Sequence, residues 1–189
     1  MAKIGLTSFR YGILTEASDG TPSYGGAKTP GHAISCNVDV SNNDASLYGD
    51  DTLIESDTSF NNASVTMGID NDDITTMSDL LGHQTTTEGG NTAMVRTNQD
   101  VAPYVGFGRV ITKMVNGAYQ YKVEFIYKCK FSEPSQSDTT KGDGVEFGTT
   151  EIQGTASALG NGKWSQTATF TSRETAVAYL ETLLGGTSA

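Results

Sequence analysis

Residues 102–131 read APYVGFGRVITKMVNGAYQYKVEFIYKCKF, two alternating runs that meet at Asn116-Gly117. Asn-Gly is the preferred pair for a two-residue type I′ turn, so the runs predict one long β-hairpin whose register the turn fixes. Pairing Val115 with Ala118 sets Gly108 opposite Phe125 and Gly106 opposite Tyr127, small against large. Ala102, Tyr104, Val110, Thr112, Met114, Tyr119, Tyr121, Val123, Cys129 and Phe131 share that face, which is expected to face the core. The other face sets Arg109 opposite Glu124 and Phe107 opposite Ile126, among Lys113, Gln120, Lys122, Lys128 and Lys130, and is expected to be wetter. At ~3.3 Å per residue each run spans roughly 40 Å, long enough to bend or overhang, with Gly106 and Gly108 as bending points.

The rest of the chain fits a β architecture. Its 189 residues suit a single domain (1–189), and a 36% hydrophobic content with 22 glycines favours antiparallel sheets with one wetted face. Ile34, Cys36, Val38 and Val40 alternate with polar residues up to an expected turn at Asn42-Asn43-Asp44, after which Ala45–Leu47 can resume the strand. A second strand is expected over 58–69, with Ala63, Val65, Met67 and Ile69 inward and Asn62, Ser64, Thr66 and Gly68 outward. Further strands are expected over 145–159, with a kink near Gly148, and, after an Asn161-Gly162 turn, over 164–170.

Two helices are expected. One follows Asp70-Asn71-Asp72-Asp73, joins Ile74, Met77, Leu80 and Leu81 on a face and stops at Gly82. The other begins at a Thr171-x-x-Glu174 capping box and ends at Gly185-Gly186. Residues 4–14 can pair as a strand or lie as an N-terminal arm (about 1–16) on a neighbour. Residues 17–31 and 132–144 read as loops, and 83–100 as a polar connection.

The net charge of −10 is unevenly placed: no Lys or Arg occurs over 29–95, while acids from Asp39 to Glu88 accumulate. That stretch is either a solvated surface or one that must not adhere to a polyanion. Specific nucleic-acid binding would need a basic stripe, and the lysines of the second hairpin strand are interleaved with Glu124. Catalysis is not expected. His32 and His83 sit in loops without ligand spacing, Gly106-Phe107-Gly108 lies inside a strand, and Asp70-x-Asp72 lacks the Gly and Glu of a calcium loop. Cys36 and Cys129 have no zinc or redox spacing and read as buried free thiols. No apolar run approaches the ~18 residues of a membrane span, and Lys3 and Arg10 interrupt the N-terminal run, so synthesis and retention in the cytoplasm are expected.

The run APYVGFGRVITKMVNGAYQYKVEFIYKCKFSEPSQ (102–136) resembles the major tail protein, or tail tube protein, of long-tailed (siphovirus) bacteriophages. The resemblance extends through KIGLTSFRYGIL (3–14), SNNDASLYGDDTLIESDTSF (41–60) and AVAYLETLL (176–184). These motifs are structural and carry no catalytic residues. The resemblance implies an antiparallel β-sandwich or barrel-like tail tube fold with one or two short flanking helices. It also implies a virion protein that polymerises with itself as stacked hexameric rings and meets other tail proteins: tape measure, tail terminator and distal tail. Genomic DNA would pass through the lumen without specific binding, with no cofactor and no membrane partner.

Within that reading, Asp39, Asp57, Asn62, Ser64 and Thr66 are the expected lumen residues. Arg109, Lys113, Asn116, Gly117, Lys122, Glu124 and Lys128, with the 17–31 and 132–144 loops, are the expected subunit contacts. The alternative from another class is a monomeric β-sandwich binding or decoration module, which a cluster of exposed aromatics around a groove would favour.

Overall fold

The computed structural model describes residues 2–136, 140 and 148–186, and it is mainly β. The described strands are β1 (Ala2–Glu16), β2 (Pro22–Tyr24), β3 (Ala33–Gly49), β4 (Thr52–Ile69), β5 (Gln84–Glu88), β6 (Asn91–Val95), β7 (Val105–Val115), β8 (Ala118–Phe131), β9 (Thr150–Ala156) and β10 (Ser165–Phe170). The helices are α1 (Ile74–Leu81) and α2 (Arg173–Leu183). One antiparallel sheet runs β2-β1-β7-β8-β9-β4-β3, with β10 also paired to β8; β5 and β6 form a separate hairpin.

The sheet folds over at β8, leaving β2 and β3 as its two edges. One edge of β8 takes β7, and the other takes β10 over Tyr121–Ile126 and then β9 at Cys129–Phe131. This divides the sheet into two facing layers, and β3 crosses over the first. Ile34 and Cys36 lie beside Leu6 of β1 and Arg109 of β7, and Val38 and Val40 lie over Ile126 of β8 and Trp164 at the start of β10. Between the layers sits the main core, built from Phe9, Tyr11, Phe107, Ile126 and Phe131 against Val65, Met67, Ile69 and Ile152, with Met77, Leu80 and Leu81 of α1. On the outer side of β7 and β8 a second cluster joins Val110, Val123 and Phe125 to Ala176, Leu180 and Leu184 at α2.

The Asn116-Gly117 turn forms as expected, both residues at positive φ, and Gly108 pairs with Phe125 and Arg109 with Glu124. The assignment of one core face to this hairpin is corrected: both faces are packed. Phe107 and Ile126 belong to the main core, while Val110, Val123 and Phe125 lie under α2. Gly106 does not pair with Tyr127 either. Phe107 pairs with Ile126 and Val105 with Cys129, so two steps on β7 span three on β8. Such a bulge reverses the alternation. Cys129 and Phe131 therefore cross into the main core while Phe125 and Tyr127 stay on the α2 side.

Other boundaries move for local reasons. β3 runs on through Asn42-Asn43-Asp44 and turns at Asp50-Asp51, whose φ values of 50° and 59° are those of a tight hairpin turn. The connection expected over 83–100 holds β5 and β6, turned at Gly89-Gly90, both at positive φ. Residues 4–14 fall in β1, an integral strand paired with β7, and the 17–31 loop contains β2. Asp73 caps α1, its carboxylate accepting from the Thr75 amide at 3.2 Å, and Gly82 ends the helix in the left-handed region. At α2 the N-cap is Ser172, so the Thr171-Glu174 box is not made. β9 begins at Thr150, two residues after Gly148. The expected start of that strand at 145–147, and 137–139 and 141–144 of the second loop, lie outside the described residues.

Candidate assembly surface

The outward face of β3 and β4 is built by register. Asp39 pairs with Ser64, Ser41 with Asn62 and Asn37 with Thr66, so Asp39, Asn62, Ser64 and Thr66 share one face of the second layer. β9 extends it, placing Thr155 beside Ser64 and Gln153 beside Thr66. Past a register shift between Ser41 and Asn42, alternation returns Asp57, paired with Ala45, to the same side. All five expected lumen residues thus lie on one pleat face. It carries no Lys or Arg on β3, β4 or β9; the first base is Lys130 of β8, paired with Thr155.

Beyond that body, β3 and β4 leave the sheet as a two-stranded arm. Residues 39–48 and 51–59 are exposed, on both faces of the hairpin. At its tip Leu47, Tyr48, Leu53 and Ile54 are 59%, 68%, 54% and 64% exposed. Asp44, Asp50, Asp51, Glu55 and Asp57 surround them. The root of the arm is braced by Phe60 stacked on Trp164, with centroids 4.3 Å apart. A two-stranded hairpin standing alone is marginal in water, and this one is held to the sheet only at its root.

The expected subunit-contact residues divide into two groups. Arg109 Nε donates to Glu124 Oε2 at 2.9 Å, Lys122 also pairs with Glu124, and Arg109 Nη1 reaches Cys36 Sγ at 2.7 Å. Burial raises the Glu124 carboxyl, but hydrogen bonds from Lys122 and Arg109 outweigh it and hold the group below the usual carboxylate range. This rung faces β3 of its own chain. Lys128 is likewise paired with Glu16 at 2.6 Å and lies over the Tyr104 ring. Lys113, Asn116 and Gly117 stay at the open end of the β7–β8 hairpin, where Lys113 sits directly across from Lys3 of β1. The 17–31 loop packs on its own chain: Tyr24 lies edge-on to Phe125, and Lys28 pairs with Asp79 at 2.6 Å.

His32 is exposed and bonded to Asp70, as a loop residue should be. His83 is not exposed; it is buried between two carboxylates. Its Nδ1 lies 2.7 Å from Asp100 Oδ2, and its Nε2 contacts Glu133. Asp100 also accepts from the Thr97 hydroxyl and amide, and these bonds with that to His83 bring its pKa down to about 2. The Ser78 hydroxyl donates to the His83 carbonyl at 2.6 Å. Among the described residues no group of His, Cys, Asp and Glu has the arrangement of a metal site. Both cysteines are free, and burial pushes the Cys129 thiol up to about 12. No described helix is long and apolar enough to cross a membrane.

Sequence reading missed the exposed tip quartet and the buried histidine. The first could have been found by noting that Leu47, Tyr48, Leu53 and Ile54 lack the alternation of a packed strand. The second had no local signal, because its partners are 17 and 50 residues away. No model of a known protein family matches the chain, and no curated protein matches it.

Proposed function

We propose that this chain is a structural subunit of the tail tube of a long-tailed bacteriophage, assembling as stacked hexameric rings whose inner wall is the base-free face of β3, β4 and β9. The observation that carries the reading is the β3–β4 arm, an acidic hairpin with an apolar tip that has no cover within its own chain. An element of this kind suits a protein that acts as a polymer, where the arm and open strand edges find their partners on other copies. The chain is made in the host cytoplasm and ends in the virion, meeting tape measure, terminator and distal tail proteins at the tube's ends.

The inner wall follows from charge. Duplex DNA carries about one negative charge per ~1.7 Å of axis, and lysines on a wall would hold it by counterion release. A face of Asp39, Asp57, Asn62, Ser64 and Thr66 offers its phosphates no cation. Salt limits repulsion to a Debye length of ~8 Å, so the wall keeps DNA off without driving it. The rival reading, a monomeric binding module, draws little support from the exposed aromatics among the described residues: Tyr48, Tyr104 and Tyr119 lie on three separate segments.

Negative-stain microscopy of the purified chain over a range of concentrations tests the proposal. Rings or tubes are the expected result, and a monomer at every concentration would refute it.

A further inference from the structure

At the open end of β1 and β7, away from the acidic face, is a cavity of about 320 Å³ that the assignments above leave without a role. Ile4, Leu6, Ile34 and Ile111 form its apolar lining, and Lys3 and Arg109 supply its charge. Ile4 and Ile34 are themselves about half exposed. Lys3 stands directly opposite Lys113 across the β1–β7 ladder. Like charges at a cross-strand position destabilise a sheet unless an anion lies between or above them. No carboxylate of the chain fills that role for either lysine among the described residues. The cavity is thus apolar within, cationic at its edge and open.

The β3–β4 arm has the complementary character: Leu47, Tyr48, Leu53 and Ile54 at the tip, ringed by acids and without a single base. The arm cannot reach the cavity of its own chain. β3 starts at the cavity with Ile34 and runs away from it to Asp50, 16 residues on, roughly 50 Å at ~3.3 Å per residue. We infer that the arm tip of one copy docks in the Lys3–Lys113 cavity of the next. Apolar tip residues enter the Ile4/Ile34 lining, and arm carboxylates sit by the two lysines. Docked from one copy to the next, the contact is heterologous and propagates head-to-tail, as an assembly of rings and stacks requires. The inference rests on the proposed assembly of copies, and names the surfaces that join them.

Two charge-reversed proteins test it: K3E/K113E, which alters the cavity, and D44K/E55K, which alters the arm outside its turn. All four positions lie outside the two cores, and circular dichroism with thermal melting checks that each variant folds as the wild type does. Sedimentation velocity is expected to show at least a tenfold loss of pelletable assemblies for each variant alone. An equimolar mixture is expected to regain assembly with the two variants alternating, because the acidic arm of one meets the Lys3/Lys113 cavity of the other and the reversed arm meets the reversed cavity. The fourfold variant, with both surfaces reversed, is expected to regain assembly. Folded variants that assemble like the wild type, or a mixture that stays monomeric, would overturn the docking. Tubes from both variants would remove the docking and leave the tail tube reading standing. Loss of assembly in each variant and its recovery in the mixture, with no tubes from the wild type by microscopy, would do the reverse.

Discussion

Gly108 is where the sheet and α2 come closest. A Cβ there would stand 2.2 Å from Leu180 Cδ1 and 3.1 Å from Phe125 Cδ2, both fully packed. Gly108→Ala is therefore expected to lose about 1–3 kcal/mol through overpacking, seen as a lower urea midpoint at unchanged slope. Gly5→Ala, whose Cβ would meet nothing within 4 Å, is the control and should unfold like the wild type. Asp100 gives a pH-dependent test. Its folded pKa of about 2 is below the ordinary 3.8, so its contribution is full above the unfolded value and fades as pH falls from there toward 2. The melting temperature of Asp100→Asn should thus trail the wild type at neutral pH, with the gap narrowing between pH 4 and 2 in thermal melts. What the sequence revealed at this scale was local chemistry: Asn116-Gly117 and Asp73 act on neighbours in the chain, and both do as expected. His83 answers to Asp100 and Glu133, and composition around it indicated a wet loop instead.

Among the elements, the arm separates stability from association. Replacing residues 45–57 with Asn-Gly joins the paired Asp44 and Thr58 by a two-residue turn and removes residues that, over 45–48 and 50–57, are exposed. The trimmed protein is expected to melt within a few degrees of the wild type yet stay monomeric, as measured by calorimetry and sedimentation; undiminished assembly would deny the arm its role. Strands were legible wherever alternation and a turn pair coincided, as in β7 and β8. The Asp50-Asp51 turn was not, because Asn42-Asn43-Asp44 is the richer turn former and only pairing along the whole of β3 and β4 overrides it. The β8 bulge was also hidden. Phe125, Tyr127, Cys129 and Phe131 alternate without a break, and the switch of face comes with the bulge in the β7–β8 ladder, beyond which β9 pairs at Cys129 and Phe131. Register beyond a bulge is a tertiary property.

For the whole molecule, the base-free face is the testable feature. Asp39→Lys with Ser64→Lys and Thr66→Lys would put three cations on adjacent strands of the proposed inner wall. Tubes should still form, while DNA release from particles carrying the variant slows and recovers as salt rises, since held phosphates are freed by added ions. Release at the wild-type rate would count against the wall assignment. The face itself was readable from charge alone, whereas its partners were not, because an alternating strand does not reveal which layer it joins. The double grip on β8 reaches further. That strand is held on one edge by β7 and on the other by β10 and β9, and it contributes to both clusters. Neither half of the molecule can come away while the other persists, so β8 amides surrender their protons to deuterated solvent only when the entire chain opens. Isotope exchange along this one strand then reports the global unfolding equilibrium, and a slower rate in the assembled state would measure how far neighbouring copies restrain it.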